Sequence, residues 1–276
     1  MGIFAEVKSK RMMTACVVVV LALCFAILSL ADVRMPEASG KSVVKKGDLV
    51  VDNSHMDQGY IMIKATKSKK RYKVRITTSG AKLNYDLNSN GDYEVFPLQF
   101  GNGKYEVGLY RQASGTKYEA VGKASLKVKM EDELSCFLYP NQYVNYDETT
   151  PCVVAAAEMC SGMTDQAEIF KTVCNYIKSN FVYDFIKSVT VGKGVLPDID
   201  GCWSSRMGIC QDLSAMACAM LRSQGVPARL MIGTLGVNTY HAWVMAVVNG
   251  EDKFFDPTAE LNASSKTDTY TTERYY

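Results

Sequence analysis

Two hydrophobic periodicities follow one another along this chain of 276 residues. Up to about residue 130, apolar and polar residues alternate, which is the period of a half-buried β-strand. The alternation is clearest in five segments: 60–64, 72–77, 93–96, 105–110 and 124–129. Turn-forming Gly, Asn and Ser residues separate these segments. Short strands at this spacing favour an antiparallel β-sandwich or barrel over residues 32–130.

From residue 131 onward, predicted helices alternate with strands. Thr164-Asp165 is typical of a helix N-terminus, and the following residues place a stripe of apolar side chains on one helix face. A second helix is predicted from about Ile209 to Ser223, with apolar residues at the i, i+3, i+4 spacing of a single face. Strands are expected over 229–233, 241–248 and 253–256, with a tight Asn-Gly hairpin turn between the last two. The many tyrosines, Tyr270, Tyr275 and Tyr276 among them, are expected only to supply strand and surface positions.

The first 31 residues have the pattern of an export segment. The basic residues within 8–11 precede an uncharged apolar run, 12–31, which ends in small residues. This layout is typical of a secretory signal peptide, and the run is also long enough for an uncleaved membrane anchor. A lipoprotein signal at Cys24 fits less well, because Leu23 stands where that signal requires a small residue. Both main interpretations predict that residues from 32 onward lie outside the cytoplasm, extracellular or at the cell surface.

The formal net charge of +2 conceals two oppositely charged halves. Residues 32–130 contain 18 Lys and Arg against 10 Asp and Glu, whereas residues 131–276 contain 10 against 18. A domain boundary is therefore predicted near residue 130. The segment Lys64–Arg75 alone carries seven basic residues, which suit either an anionic cell-envelope polymer or a solvated strand face. Nucleic acid is not expected as a partner of an exported protein.

The chain contains nine cysteines but only two histidines, His55 and His241, so any imidazole chemistry must use one of these two. Export leaves seven cysteines, at positions 136, 152, 160, 174, 202, 210 and 218. An odd number leaves at least one thiol unpaired, while Cys152, Cys160, Cys174 and Cys202 could form disulfides or stay reduced. No histidine lies at zinc-site spacing from a cysteine pair, so neither a metal nor another cofactor is predicted.

Cys210 is the candidate nucleophile because of its position. It follows Gly208-Ile209 and opens the second predicted helix. A helix N-terminus presents unpaired N–H groups and a positive dipole end, and both stabilise a thiolate. Cys218 lies deeper in the same helix, gains little of this effect, and is expected to pack as a small apolar residue.

The predicted hairpin brings a histidine and a carboxylate to one face. A two-residue loop at 249–250 places Trp243 opposite Asp256 and makes His241 the diagonal neighbour of that carboxylate. An odd loop would turn Asp256 to the other face. In the even register, Asp256 orients the imidazole, His241 exchanges protons and Cys210 attacks a carbonyl. Taken singly, the three residues would also suit a disulfide, a packed strand position and a turn.

Several motifs together resemble the transglutaminase-like superfamily. They cover about residues 163–260 in chain order: FVYD at 181–184, GICQD at 208–212, MLRSQGVPAR at 220–229, HAW at 241–243 and FDPT at 255–258. The resemblance implies a papain-like fold for the catalytic domain, taken as residues 131–276. Together with the all-β domain and the N-terminal signal or membrane helix predicted above, this makes the expected fold class α+β. The resemblance also implies that Cys210, His241 and Asp256 form the triad. Animal members also have calcium sites, but no EF-hand-like acidic loop occurs here, so calcium activation is not implied.

The expected reaction is acyl transfer at amide bonds through a thioester on Cys210. Hydrolysis of a protein or peptide, such as a cell-wall peptide, is slightly favoured over Gln–Lys crosslinking, since preferring an amine to water needs a dedicated pocket. The Cys210 N–H is the expected oxyanion donor. Trp203 and Gln211 are candidate oxyanion or substrate contacts, with a packing tryptophan and a surface glutamine as the alternatives. Two further alternatives are a non-catalytic surface-binding protein and a disulfide-stapled adhesin, which predicts no free thiol.

Overall fold

The computed structural model describes residues 33–262 and 269–276, which form a β-rich region followed by a mixed α/β region. The predicted export segment, residues 1–31, lies outside the described residues and stays a prediction. Within the described ranges, no helix combines the length and the apolar character needed to cross a membrane.

The β-rich region consists of two four-stranded antiparallel sheets. Its strands are β1 (Val43–Lys46), β2 (Leu49–Asp52), β3 (Tyr60–Ala65), β4 (Tyr72–Thr77), β5 (Lys82–Leu87), β6 (Glu94–Pro97), β7 (Gly103–Ser114) and β8 (Lys117–Val128). One sheet has the order β1-β2-β3-β6 and the other β5-β4-β7-β8. The five predicted strands are confirmed. The sequence analysis missed β1, β2 and β5, and β5 in particular contains Asn84 and Asp86, residue types that are depleted in strands.

Alternation decides which side chains each sheet buries. Along β4, Tyr72, Val74 and Ile76 are buried while the residues between them are only partly covered. The buried faces of both sheets belong to one apolar cluster, as expected for sheets that pack face to face. A backbone hydrogen bond from Asp48 N–H to the Val121 carbonyl, 3.0 Å, also joins the edges of the two sheets.

The mixed region surrounds one buried helix. Its elements are α1 (Pro151–Met159), α2 (Gln166–Asn180), β9 (Val182–Tyr183), α3 (Phe185–Thr190), α4 (Ile199–Ser205), β10 (Met207–Gly208), α5 (Cys210–Ser223), β11 (Ala228–Leu235), β12 (Thr239–Val248), β13 (Glu251–Phe255), α6 (Pro257–Leu261) and β14 (Tyr270–Tyr275). Four strands form an antiparallel sheet in the order β13-β12-β11-β14, and β9 pairs in parallel with β10. The predictions of α2, α5 and the three strands β11 to β13 are confirmed.

The sequence predicts that α5 is buried along a single apolar face, but the structure buries the helix on every side. Every residue from Cys210 to Ser223 is buried. Helices α1, α2 and α4 and strands β11 and β12 all pack against α5. A helix enclosed in this way must also bury its polar side chains, and each of these then needs a hydrogen-bond partner.

Arg222 shows how α5 meets that requirement. Its guanidinium is buried and donates hydrogen bonds to the carbonyls of Ala228, Tyr139 and Tyr276, each at 2.8 Å. Three separate segments are thereby joined to the C-terminal end of the helix. All three acceptors are backbone oxygens, which every residue type has. The sequence around Arg222 therefore does not indicate that this side chain joins the three segments.

The contact between the two regions is aromatic. Tyr276 is 1% exposed, stacks on Tyr143 with ring centroids 3.6 Å apart, and meets Tyr85 of β5 edge-on at 5.8 Å. The expectation of a surface position for Tyr276 is therefore wrong. Gln99 also donates a hydrogen bond to the Tyr275 carbonyl. The C-terminal residues thus lie between the two oppositely charged halves, whose cores join in one cluster.

Candidate active site

Cys210 is the first residue of α5, and a tight approach of the chain places it there. Its side chain is almost covered, with the residue 6% exposed. A Cβ atom at Gly208 would lie 2.6 Å from the Cys202 sulfur, closer than atoms can pack, and 3.2 Å from the Asp212 Cβ, a tight contact. Glycine at position 208 therefore permits the contact between the start of α5 and the end of α4.

Asp212 anchors the segments around Cys210. The residue is 0% exposed, and its carboxylate accepts hydrogen bonds from the N–H groups of Ile209 (3.1 Å) and Asp198 (2.9 Å). The Lys187 ammonium pairs with it at 2.7 Å. It thus connects the start of α5 to the starts of α3 and α4. The sequence analysis gave Asp212 no role, although an acidic residue three positions after a helix N-cap is the signal of a capping interaction.

The hairpin has the predicted register. Asn249 and Gly250 have φ values of 51° and 84°, so both adopt the left-handed conformation that a two-residue turn requires. The pairs run from Val248 opposite Glu251 to Val244 opposite Phe255. As a result, His241 Nε2 lies 2.7 Å from Asp256 Oδ2, and the two residues are 5% and 2% exposed.

Helix α5 packs against β12 so that Cys210 approaches His241. One turn beyond Cys210, the buried Ser214 hydroxyl donates a hydrogen bond to the Ala242 carbonyl at 3.2 Å. Cys210 lies close enough to His241 to act electrostatically on the imidazole and to help raise its pKa. Because Asp256 occupies Nε2, the remaining nitrogen, Nδ1, is the one available to the sulfur. The structure thus brings together all three residues of the predicted triad.

Electrostatics in this cluster favour a charged imidazole. Burial opposes the charge on His241, but the hydrogen bonds to Asp256 and Cys210 outweigh it and raise the His241 pKa to about 9. For Asp256, burial also works against the charge, yet the His241, Tyr270 and Ala259 hydrogen bonds leave its pKa lowered. At neutral pH the pair is therefore an imidazolium and a carboxylate.

Tyr270 is a member of the cluster that the sequence analysis missed. Its hydroxyl donates a hydrogen bond to Asp256 Oδ2 at 2.7 Å, and its ring meets Trp243 edge-on at 5.1 Å. It belongs to β14, on the far edge of the sheet from the hairpin that carries Asp256. No local motif indicates this contact, because Tyr270 is 14 residues beyond Asp256 and belongs to a strand at the other edge of the sheet.

The other cysteines lie in unreactive surroundings. Burial raises the pKa of Cys136, Cys152, Cys174, Cys202 and Cys218 to about 12 and also raises that of Cys160. All seven cysteines within the described residues are free thiols. This arrangement does not fit the disulfide-stapled adhesin, which predicts no free thiol.

Trp203 lies in an aromatic cluster. Its ring stacks on Tyr176 and packs against Phe181, with centroid distances of 5.8 Å in both cases, and the Arg206 guanidinium lies 4.2 Å above it. These contacts are those of a packing tryptophan. A role for its indole N–H at the oxyanion stays a prediction.

Gln211 is a buried residue that supports a loop. It is 7% exposed, which corrects the surface alternative, and its amide donates a hydrogen bond to the Val195 carbonyl at 3.1 Å. This bond ties the segment between α3 and α4 to the residue next to Cys210. Gln211 therefore shapes the surroundings of the thiol.

A cavity of about 510 Å³ opens beside Cys210. Its walls come from the loop 191–195, the start of α5 and several polar side chains: Tyr143, Tyr183, Ser188, Tyr240 and Arg274. Its volume is that of a site for a small molecule or a short peptide segment. Across the described ranges, no group of three or more His, Cys, Asp or Glu side chains is placed to hold a metal ion.

Residues 154–255 match the sequence model of the transglutaminase-like superfamily. The match confirms the resemblance found from the motifs and includes Cys210 and His241, while Asp256 directly follows it. These residues form a transglutaminase-like domain. No curated protein matches the chain.

Solved structures similar to this chain include three bacterial proteins. A protein from Cytophaga hutchinsonii, provisionally described as a cysteine protease, is 14% identical with a TM-score of 0.40, covering 79% of this chain and 91% of its own. One from Parabacteroides distasonis, provisionally described as a protease, is 15% identical with a TM-score of 0.34, covering 71% and 37%. The periplasmic domain of TgpA from Pseudomonas aeruginosa, bound to ethylmercury, is 14% identical with a TM-score of 0.38, covering 83% and 78%.

Proposed function

We infer that this chain, whose residues 154–255 form a transglutaminase-like domain, is a cysteine-dependent enzyme that transfers acyl groups from amides through a thioester on Cys210. The observation that carries the proposal is the position of His241, which pairs with the buried Asp256 carboxylate at 2.7 Å and lies near Cys210 at the start of α5. A cysteine at a helix start, beside an imidazole that a buried carboxylate orients, is the arrangement required for nucleophilic catalysis at an amide.

In the first half of the reaction, the Cys210 thiolate attacks the amide carbonyl carbon and forms a tetrahedral intermediate. The backbone N–H of Cys210, at the first turn of α5, stabilises the developing oxyanion. The His241 imidazolium then transfers its proton to the amide nitrogen as the C–N bond breaks. The amine leaves and a thioester remains on Cys210.

In the second half, neutral His241 removes a proton from the acyl acceptor. The acceptor attacks the thioester carbon, and the sulfur leaves as the thiolate of Cys210. With water the product is a carboxylic acid, and with an amine it is a new amide. Hydrolysis is the favoured outcome, because water is present at about 55 M and selection of an amine needs a binding site of its own.

Product analysis tests both the activity and the choice of acceptor. The purified chain is incubated with a protein substrate and a labelled primary amine, followed by mass spectrometry. We expect amide cleavage with little amine incorporation in the wild type and neither reaction in Cys210→Ser. Cys218→Ser, which changes a buried thiol of the same helix, is the matched control and should retain activity. Label incorporation that depends on Cys210 and exceeds hydrolysis would establish transamidation instead.

We also propose that the enzyme acts outside the cytoplasm, on proteins or on peptides such as those of the cell wall, because of the export pattern over residues 1–31.

An anionic envelope polymer is proposed to contact the basic segment Lys64–Arg75. Within that segment Arg71 and Lys73 both pair with Asp86, which leaves the exposed lysines of the turn 67–70 as the free charges. If release from intact cells is independent of salt concentration, the electrostatic contact is absent.

A further inference from the structure

We propose that the cavity beside Cys210 selects acyl substrates that carry a carboxylate close to the reacting carbonyl, as acidic peptides do. This inference rests on the proposed function and specifies its substrate class. The charges on the cavity wall point to it. Lys193 and Arg274 line the cavity, and no Asp or Glu is among its lining residues. The charged residues of the cavity wall are therefore basic, whereas in residues 131–276 as a whole acidic residues outnumber basic ones by 18 to 10.

Arg274 is placed to bind a carboxylate. It lies on β14, paired with Ile232 of β11, and its guanidinium is 6.0 Å from the centre of the Tyr240 ring. Its side chain is 31% exposed, so an ion pair with it is less screened than one at the open surface. One nitrogen pairs with Glu273 at 3.1 Å. A guanidinium has five N–H donors, so this contact leaves others for a ligand.

Lys193 lies on the loop 191–195, which forms part of the cavity wall. The loop also contains Gly192 and Gly194, and Gly194 adopts a φ of 77°. The hydrogen bond from Gln211 to the Val195 carbonyl ties this loop to the residue that follows the nucleophile. The other nearby lysine, Lys187, is already paired with buried Asp212. Lys193 is thus the lysine that lines the cavity.

The remaining walls suit a peptide rather than a bare anion. Tyr143, Tyr183 and Tyr240 contribute ring faces and hydroxyl groups, and Cys210 itself lines the same space. Apolar ring surface with a few convergent polar groups is typical of sites that bind an organic ligand in one orientation. An acyl group positioned at the sulfur would therefore share the cavity with two cationic side chains.

Paired alkylating reagents test the inference without a known substrate. Iodoacetate and iodoacetamide are close in size, but only the first carries a carboxylate. In both reactions the Cys210 thiolate forms a bond to the CH₂ carbon and iodide leaves. Mass spectrometry gives the rate at Cys210 for each reagent in the full chain, and the ratio of the two rates is the readout.

We expect the iodoacetate-to-iodoacetamide ratio to fall about threefold in Lys193→Gln, with a similar fall in Arg274→Gln and about tenfold in the double variant. His241 is unchanged throughout, so its own charge cancels from the comparison. Lys253→Gln is the matched control, since Lys253 pairs with Glu251 on β13 and does not line the cavity. Lys193 lies on an exposed loop, so its variant gives the answer if substitution of Arg274 disturbs folding.

The outcomes separate this inference from the proposed function. A ratio that drops in the cavity variants but not in Lys253→Gln supports the acidic substrate class. Rapid modification by both reagents with a constant ratio would overturn the inference and leave the thiol enzyme intact, even if both rates fell together. Modification of Cys210 no faster than that of a small thiol in solution would instead overturn the proposed function.

Discussion

The β-rich region and the transglutaminase-like region each contain one buried histidine near a carboxylate. His55 is 9% exposed, hydrogen-bonds to the Ser39 hydroxyl at 2.9 Å and lies 3.3 Å from Glu37. His241 is 5% exposed and lies 2.7 Å from Asp256. Burial and a nearby acid therefore do not distinguish His241, the proposed catalytic histidine, from His55.

The surroundings of the carboxylate make the difference. The Glu37 side chain is 68% exposed, and solvent screens its charge. Asp256 is 2% exposed and is held by hydrogen bonds from His241, Tyr270 and the Ala259 N–H. Residues 32–130 also contain no cysteine. The His241 imidazole has two buried partners, the Cys210 thiol and the Asp256 carboxylate. The His55 imidazole in the β-rich region lacks such a pair.

The largest effect expected from this comparison is on activity. His241→Gln removes the proton carrier and should reduce kcat/KM about 10³-fold or more. His55→Gln should leave kcat/KM within a few fold of the wild type. Amide cleavage is measured for both variants after unfolding curves show that each is folded. Equal losses in the two variants would show that the comparison is wrong.

Two buried aspartates provide the next comparison. Asp52 and Asp212 both accept backbone hydrogen bonds, but only Asp212 carries a cation, Lys187, which is 28% exposed. Asp212→Asn should lower the free energy of unfolding by about 3 kcal/mol and slow the alkylation of Cys210, because the start of α5 loosens. Asp52→Asn should cost about 1 kcal/mol.

Urea unfolding and iodoacetamide labelling measure these two effects. Asp52→Asn is the control for labelling, since its contacts lie in the β-rich region. Unchanged alkylation of Cys210 in a folded Asp212→Asn variant would mean that Asp212 serves stability alone.

The pH dependence of the His241–Asp256 pair gives a smaller effect. The His241 pKa is raised from 6.5 to about 9, so its contribution to stability is complete below pH 6.5 and disappears as the pH rises through 9. The Asp256 pKa is lowered from 3.8, so its contribution is complete above that value and disappears in more acidic solution. The pair should therefore contribute most between about pH 4 and 6.5, roughly 2 kcal/mol.

A double-mutant cycle with His241→Gln and Asp256→Asn, repeated across this pH range by urea unfolding, measures that coupling. The cycle for His55 and Glu37 should show little coupling, because Glu37 is exposed. A coupling for the His241–Asp256 pair that is constant from pH 6 to 10 would contradict the raised pKa of His241.

The smallest effect on stability and kcat is expected from the removal of a single tyrosine hydroxyl. Tyr270→Phe removes the hydrogen bond to Asp256 but keeps the ring, so we expect about 1 kcal/mol lower stability and a several-fold lower kcat. Because that bond helps to lower the Asp256 pKa, the acid limb of the pH–rate profile should also move to higher pH. Tyr60→Phe, whose hydroxyl accepts a bond from the Glu37 N–H, is the control and should leave the profile unchanged.

Several features of the site were predictable because they are local. A two-residue Asn-Gly turn allows one register, and that register alone brings His241 within reach of Asp256. The start of α5 at Cys210 follows from the periodicity and from the glycine before it. The strands of the β-rich region that alternate strongly were predicted, while short helices such as α3 and α4 carry too few residues for a period to be evident.

Features that depend on distant segments were not predictable. Tyr270 reaches Asp256 from the other edge of the sheet, Lys187 reaches Asp212 from another helix, and Tyr276 packs between the two halves. Each of these contacts depends on how separate helices and strands are arranged in space. The charge difference between the halves indicated a boundary near residue 130, but it did not reveal that their cores join in one apolar cluster.

The sequence by itself therefore determined which residues could react: one cysteine at a helix start, one histidine and one carboxylate on a hairpin. The periodicity of helices and strands and the geometry of turns depend on only a few neighbouring residues. The spacing of residue types along the sequence is therefore enough to predict them. The tertiary structure alone decided the raised pKa of His241, the anchoring of α5 by Asp212 and the cationic cavity beside the thiol. Burial and electrostatic fields sum over all neighbours in space, and most of those neighbours are distant in the chain.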